Sequence, residues 1–389
     1  MTSPLPDPAK LPLSLYIHVP WCVRKCPYCD FNSHENADPP EQTYLEALLR
    51  DLDIEAARAD GRTLQTIFIG GGTPSLMSAH FYDRLLAAID DRIGLADNAE
   101  ITLEANPGAS DQARFDGYRE AGINRLSIGV QSLDADKLAA LGRIHDPQQA
   151  RDAVGHARRA GFERINLDLM HGLPGQTSQQ ALDDLARALD LGPDHLSWYE
   201  LTLEPNTAFW SRPPALPDPD QIADTEDAGF ALLADAGFRR YEISAFAHPD
   251  QACRHNLNYW QFGDYLALGA GAHGKITGAD GRICRYQKTR QPDHYLNALD
   301  PTRAMQALSP AERALEFFLN GLRLIDGVAR ASYAPRTGNR LDLISEDLSQ
   351  LVSDGLLTDE NGRLACTALG IRHLNSVLAR LEQGLARHS

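Results

Sequence analysis

The sequence predicts an α/β protein in which a parallel β-sheet carries helices on its outside and a smaller unit follows. Six strand-like apolar runs alternate with amphipathic helical patterns, and they recur roughly every thirty residues, as βα units do. The runs cover residues 13–19, 66–69, 100–104, 125–130, 164–170 and 195–201. After residue 309 the pattern changes to helices around a hairpin-like segment.

This alternation allows an open doubly wound sheet and a partial or full (β/α) barrel, and both architectures place their chemistry at the carboxyl ends of the strands. The polar residues of interest follow the predicted strands directly. The order of helices and hairpin after residue 309 is typical of a winged-helix-like α+β module. We therefore expect a large α/β domain with a small C-terminal domain.

Composition narrows the function classes. The 389 residues carry a formal charge of -16, which repels phosphate backbones and anionic lipids, so we expect no nucleic-acid partner. No apolar run reaches membrane-spanning length, so we expect no integral membrane segment. Residues 1–12 contain four prolines and no signal-peptide pattern, and we expect a disordered leader there.

Three closely spaced cysteines form the most informative motif. Cys22, Cys26 and Cys29 follow the first strand as CxxxCxxC. Three thiolates can bind three irons of a cubane cluster and leave the fourth iron open to a small molecule. The alternative is a zinc site completed by His18 or His34, although structural zinc more often uses two separated CxxC pairs. With six cysteines in all, the chain is better suited to metal binding in the cytoplasm than to a disulfide scaffold.

Further ligand-binding candidates follow the later strands. A glycine-rich turn closes the second strand, where the missing β-carbon lets a backbone approach a ligand. Carboxylates and amides can bind ribose hydroxyls or an ammonium group, and an arginine can bind a carboxylate through its planar fork. The candidates are Gly71, Gly72, Thr73, Glu104, Gln131, Arg143 and Asp168.

The CxxxCxxC motif with an aromatic residue before its last cysteine resembles the signature of the radical S-adenosylmethionine (SAM) superfamily. The resemblance implies a partial (β/α) barrel, a [4Fe-4S] cluster on the three cysteines and SAM bound at the open iron. It is strongest for the coproporphyrinogen dehydrogenase-like branch and spans roughly residues 13–385. The SAM-binding set of that branch matches Tyr16, Tyr28, Gly71, Gly72, Thr73, Glu104, Gln131, Arg143 and Asp168.

Two functions compete within this branch. The oxygen-independent coproporphyrinogen III oxidases, which decarboxylate two propionates by radical chemistry, have the pattern CxxxCxxCxC and a longer segment before the cluster. Here Phe31 stands at the extra cysteine position and 21 residues precede Cys22. The chain therefore departs from the oxidase pattern at both points.

The HemW-like haem chaperones have CxxxCxxCxF and a later HNxxYW motif, and residues 255–260 match the latter at every defined position. The resemblance favours His255 as an axial haem ligand, with Tyr259 and Trp260 offering flat faces to the macrocycle. Without it, His255 would be a hydrogen-bonded loop residue and Trp260 a core residue. Other histidines remain alternative ligands: His18, His34, His145, His171 and His273.

The sequence thus predicts a haem chaperone that transfers haem to acceptor haemoproteins, needs an electron donor, and is a monomer or a homodimer. SAM cleavage and simple electron relay by the cluster both stay open. The alternatives are a porphyrinogen oxidase and a zinc-binding barrel protein. The expected boundaries are a leader at 1–12, the barrel domain at 13–245, a linker region with the haem motif at 246–308, and the winged-helix-like domain at 309–389.

Overall fold

The computed structural model describes residues 5–109 and 112–387. The strands in chain order are β1 Leu13–Val19, β2 Trp21–Cys22, β3 His34–Glu35, β4 Leu64–Gly71, β5 Leu95–Ala105, β6 Arg125–Gln131, β7 Arg164–His171, β8 His195–Glu200, β9 Arg239–Arg240, β10 Ala245–Ala247, β11 Asp264–Leu268, β12 His273–Thr277, β13 Ile283–Lys288, β14 Thr302–Ala307, β15 Val328–Ala329, β16 Leu357–Glu360 and β17 Arg363–Cys366.

Helices connect most of the long strands. The α-helices are α1 Glu41–Ala59, α2 Ala79–Arg92, α3 Gln112–Glu120, α4 Ala135–Ala140, α5 Pro147–Arg159, α6 Ser178–Leu189, α7 Ala208–Ser211, α8 Pro219–Asp235, α9 Arg254–Trp260, α10 Pro292–Leu296, α11 Pro310–Gly321, α12 Tyr333–Thr337, α13 Ser345–Ser353, α14 Ala368–Arg372 and α15 Leu374–Ala386. Within the described ranges, none of these helices has both the length and the apolar character that a membrane crossing requires.

The centre of the molecule is a run of parallel strands in the order β1, β4, β5, β6, β7 and β8. These strands are buried almost throughout, as expected for a parallel sheet covered by crossover helices. Among the described residues the sheet has twelve strands and two free ends, at β14 and β9, so the (β/α) barrel is partial. The fold predicted from the βα repeat is confirmed.

The parallel register decides which side chains meet at the carboxyl edge of the sheet. Glu104 on β5 pairs with Ser127 on β6, and Gly129 pairs with Asp168 on β7, which pairs in turn with Ser197 on β8. Polar residues on neighbouring strands therefore lie side by side in the sheet. Residues far apart in sequence converge on one edge for this reason.

The segment 246–308, predicted to be a linker, is instead part of the main sheet. Strand β11 pairs parallel with β1, and β12, β13 and β14 extend the sheet in antiparallel order. The linker prediction is wrong because antiparallel strands need only short connections and leave no βα repeat in the sequence.

The leader prediction is wrong for residues 5–12, whereas residues 1–4 lie outside the described residues. Residues Pro8–Lys10 form a 3-10 helix capped by the side chain of Asp7. Leu11 is buried, and the guanidinium of Arg62 donates to the carbonyl of Pro8 over 3.3 Å. Side-chain contacts with the main domain thus fix this segment in spite of its prolines.

The C-terminal unit has its own small sheet in the order β15, β17 and β16 among its described residues. Its first helix, α11, begins with a capping box between Ser309 and Glu312. Its apolar core also includes Phe262 and Ile283 of the main domain. The winged-helix-like unit is therefore packed directly against the sheet extension.

Candidate functional site

A cavity of ≈350 Å³ opens at the carboxyl edge of the parallel strands, and we call it the cluster cavity. It brings together every residue predicted for the iron-sulfur cluster and SAM except Tyr16. Its predicted members are Cys22, Cys26, Tyr28, Cys29, Gly71, Gly72, Thr73, Glu104, Gln131, Arg143 and Asp168. The convergence of one loop with five neighbouring strands makes this the candidate site.

The three cysteines are half-buried and carry no disulfide. Burial raises the pKa of the Cys22 and Cys29 thiols above the ordinary value. Because metals bind thiolates, loading the site must release these protons. Among the described side chains, no group of three His, Cys, Asp or Glu converges on a single point as one metal ion would require. Three thiols spread around one cavity suit a multi-iron cluster better than one zinc ion.

Arg143 joins the cluster loop to the sheet. Its Nη1 donates to the Sγ of Cys26 over 3.6 Å, and its Nη2 donates to the carbonyl of Gly129 over 2.9 Å. Its Nε is buried without a hydrogen-bond partner among the described residues. An unpaired N–H on a cation within such a cavity suits a carboxylate ligand. The residue therefore fits the role of binding the SAM carboxylate.

Two acidic side chains face the cavity in a region of low polarity. Burial, together with the negative charge of Asp168, raises the pKa of Glu104 to about 8. Burial also raises the pKa of Asp168, although hydrogen bonds from Ser127, Asn166 and Ser197 oppose the shift. Carboxyl groups can accept hydrogen bonds from ribose hydroxyls, and in their ionised form they can pair with the positive sulfonium or ammonium of SAM.

Gln131 lies at the end of β6 in the left-handed region, with φ of 68°, which is unusual for a residue with a side chain. Its Oε1 accepts a hydrogen bond from the hydroxyl of Tyr199 over 2.9 Å. Because this backbone conformation is unfavourable, the surrounding contacts must hold it in place. The side-chain amide is thereby fixed at the cavity wall.

The glycine turn fits the site for a reason that the sequence does not reveal. A β-carbon on Gly71, whose φ is +115°, would lie 2.6 Å from the ring of His18, and one on Gly72 would lie 2.4 Å from the carbonyl oxygen of Trp21. The missing side chains therefore make room for His18 and Trp21 of the same chain. The backbone N–H of Gly71 donates to Glu104 over 3.1 Å and so orients that carboxyl group.

A second cavity, of ≈530 Å³, adjoins the first, and we call it the aromatic cavity. The two share Phe31, Gly71 and Glu104. Tyr16 lies here instead of in the cluster cavity, with its hydroxyl 3.0 Å from Nδ1 of His18. The remaining lining residues are Asn32, Tyr259, Trp260, Tyr265, Gly271, His273, Arg285, Arg290 and Asn320.

His255 lies outside both cavities, contrary to its predicted role. The side chain is 1% exposed, and its two ring nitrogens lie 2.7 Å from Oγ1 of Thr66 and 3.0 Å from the hydroxyl of Tyr259. Since the Thr66 hydroxyl donates to Ser14, Nδ1–H donates to Thr66 and the lone pair of Nε2 accepts from Tyr259. In this arrangement His255 has no free lone pair for haem iron. Its Nε2 instead accepts the hydrogen bond that holds the Tyr259 hydroxyl in place.

With this geometry established, comparison with known proteins identifies the family. Residues 16–188 match the radical SAM superfamily, and residues 308–373 match the HemN C-terminal domain. The chain is 50% identical to "Heme chaperone HemW" of Escherichia coli over 370 residues, which are 94% of this chain and 97% of that protein. The chain belongs to the HemW family.

Two further relatives support this placement. The mouse "Radical S-adenosyl methionine domain-containing protein 1, mitochondrial" is 36% identical, with coverage of 97% of this chain and 89% of that protein. The structure of the E. coli coproporphyrinogen III oxidase HemN superposes with a TM-score of 0.81 and 25% identity, and the match covers 96% of this chain and 91% of HemN. The predicted resemblance and the predicted fold class are both confirmed.

Membership of the radical SAM superfamily implies a [4Fe-4S] cluster and SAM. The cluster cavity fits both groups, since it offers three thiols from one loop and an arginine with an unpaired N–H beside them. His18 is a poor fourth ligand for the alternative zinc site, because both its ring nitrogens are already bonded, to Tyr16 and to the carbonyl of Asn32.

Sequence reasoning missed several lining residues. Ser197 and Tyr199 belong to β8, a strand that was predicted, and their position at its carboxyl end was the signal that could have found them. Ser127 lies on β6 in the same way. In the aromatic cavity, Arg285 and Arg290 had no such signal because they lie in the segment predicted to be a linker.

Proposed function

We propose that this protein binds haem and transfers it to acceptor haemoproteins, using a [4Fe-4S] cluster on Cys22, Cys26 and Cys29 and SAM in the cluster cavity. We assign SAM binding to the predicted SAM residues of that cavity and also to Tyr16, which lines the adjoining aromatic cavity. An external one-electron donor reduces the cluster, and the cytoplasm is the expected compartment because the free thiols need reducing conditions.

One observation carries the proposal: the aromatic cavity lies directly against the cluster cavity. Its volume of ≈530 Å³ falls within the range of small-molecule and cofactor sites. Tyr259, Trp260 and Tyr265 line it with aromatic rings suited to a flat macrocycle. Relatives named haem chaperones that match almost the whole chain support haem as the occupant.

Porphyrinogen oxidation is the second candidate, favoured by the similarity to HemN over nearly the full length. Phe31 argues against it, because this side chain stands where the oxidase pattern has a cysteine. It is 60% exposed at the boundary of the two cavities. The two candidates thus share the cluster and differ in what happens beside it.

The test begins with anaerobic reconstitution of the iron-sulfur cluster in the full-length protein. Haem is then titrated while the Soret band is recorded, and a parallel sample receives coproporphyrinogen, SAM and a reductant. We expect a saturable haem complex and no protoporphyrinogen. Formation of protoporphyrinogen would establish the oxidase instead, and absence of saturable haem binding would reject the chaperone.

A further inference from the structure

The aromatic cavity contains one histidine whose ring is not engaged by the protein. His273 begins β12 and is exposed, and the described residues give its ring nitrogens no hydrogen-bond partner. The other histidine of the cavity, His18, is bonded at both nitrogens. His273 is therefore the histidine of this cavity whose ring nitrogens are free to bind a ligand.

The same cavity also contains an unpaired cation. The guanidinium of Arg290 is exposed and, within the part of the chain that the structure describes, forms no ion pair or hydrogen bond. Arg285 is different, because it pairs with Glu316 over 2.5 Å and donates to the hydroxyl of Tyr265. Arg290 is thus the free positive charge of the cavity in a chain whose net charge is -16.

A free imidazole and a free guanidinium in one aromatic cavity suit haem, which carries an iron and two propionates. We propose that His273 supplies the axial ligand to haem iron and that Arg290 binds a haem propionate, with the macrocycle between the aromatic rings of the cavity. This inference rests on the proposed haem-carrier function and assigns its iron ligand to a residue other than His255.

The chemistry of the pair is consistent with this assignment. Partial burial of the ring, followed by the positive charges of Arg290 and Arg285, lowers the pKa of His273, so the imidazole is neutral and its lone pair is free at neutral pH. An arginine fork matches the planar geometry of a carboxylate such as a propionate.

The position of the site also explains how haem could enter and leave. Asn320, on α11 of the C-terminal unit, is also a lining residue of the cavity. His273 begins β12 and Arg290 follows β13, and both side chains are exposed, whereas Tyr16 and Glu104 are half-buried. An iron ligand on an exposed residue such as His273 is accessible to an acceptor that replaces it with a ligand of its own.

The test titrates haem into reconstituted full-length protein carrying His273→Ala, His255→Ala or Arg290→Ala, with His80→Ala and Arg212→Ala as controls. His80 and Arg212 are exposed and line neither cavity. We expect His273→Ala to shift the Soret band and weaken haem binding roughly ten-fold or more, and added imidazole to restore the band. Arg290→Ala should weaken binding without moving the Soret band, because the iron ligand is retained.

The outcomes separate the two levels of the proposal. A wild-type protein that binds no haem overturns the haem-carrier function itself. Saturable binding in the wild type with an unchanged Soret band and affinity in His273→Ala overturns the assignment of His273 alone. Circular dichroism and iron content serve as folding checks, and His273 is exposed, so its truncation leaves the core intact.

Discussion

The cluster cavity and the aromatic cavity touch each other but are built in different ways. The first is formed by a loop and the carboxyl ends of parallel strands, and its side chains include two buried carboxyl groups with raised pKa values. The second adds residues of the sheet extension, helix α9 and one residue of the C-terminal unit to the ends of β1, β4 and β5, and it has exposed basic groups. The comparison indicates that the cavity lined by the cysteine motif has been combined with a second, differently built cavity beside it.

The largest effect should come from removing one cluster ligand. Cys26→Ala should abolish the cluster, because one of the three irons that the cysteines anchor then has no thiolate ligand. Iron and sulfide content and the absorbance bleached by dithionite measure the loss, whereas Cys284→Ala, outside both cavities, should keep full iron content. If the two cavities bind their ligands independently, Cys26→Ala should still bind haem. Loss of haem binding together with loss of the cluster would show that the cavities are not independent.

The next effect concerns SAM. Arg143→Lys keeps the charge but removes the planar fork and the hydrogen bonds to Gly129 and Cys26, so SAM affinity should fall roughly ten-fold to a hundred-fold. Isothermal titration calorimetry on reconstituted protein measures it, with Arg212→Lys as the matched exposed control. An unchanged SAM affinity at normal iron content would remove Arg143 from the SAM site, and a changed haem affinity would show that the compartments are coupled.

The shared residue Glu104 gives a pH test. Its pKa in the folded chain, about 8, lies above its ordinary value of 4.5, so its contribution to stability is present at low pH and is lost as pH rises through 8. Between pH 4.5 and 8 the ligand-free protein should lose about 1 kcal/mol per pH unit from this group, and above pH 8 the contribution no longer changes. Thermal unfolding from pH 6 to 9 checks the slope, and Glu104→Gln should flatten it. Identical slopes in both proteins would contradict the raised pKa.

The smallest effect should come from the boundary residue Phe31. Because the side chain is 60% exposed, Phe31→Cys should change the free energy of unfolding by no more than about 0.5 kcal/mol. The variant introduces the oxidase-like CxxxCxxCxC pattern but should form no protoporphyrinogen, since the lining of the aromatic cavity is otherwise unchanged. Thermal unfolding and product analysis by absorbance measure the two quantities, with exposed Leu299→Cys as the control. Oxidase activity in Phe31→Cys would show that this position decides the function.

Much of the cluster cavity could be predicted because its signals are local. CxxxCxxC and its Tyr28 lie within eight residues, most of the remaining candidates follow a predicted strand, and the family resemblance singled them out. Tyr16 was the exception among the SAM candidates: it lies on β1 and contacts His18 and the aromatic cavity. The reason for Gly71 and Gly72 also required coordinates, because the groups that exclude a β-carbon there come from the neighbouring strand and loop.

The aromatic cavity could not be predicted in the same way. HNxxYW drew attention to His255, but the fold turns that imidazole into the core and leaves Tyr259 and Trp260 at the cavity. His273 and Arg290 lie in short antiparallel strands and turns that have no βα repeat to mark them. Their association depends on pairings such as that of His273 with Gln287, which no local pattern specifies.

The sequence by itself determined the α/β class, the cysteine loop, the radical SAM resemblance and the small C-terminal unit, because periodicity and close spacing record local constraints. Only the tertiary structure decided that residues 264–307 extend the sheet, that His255 is bonded at both nitrogens, and that His273 faces a cavity beside the cluster. These features arise from strand pairing and from burial between distant segments, and both depend on the complete fold.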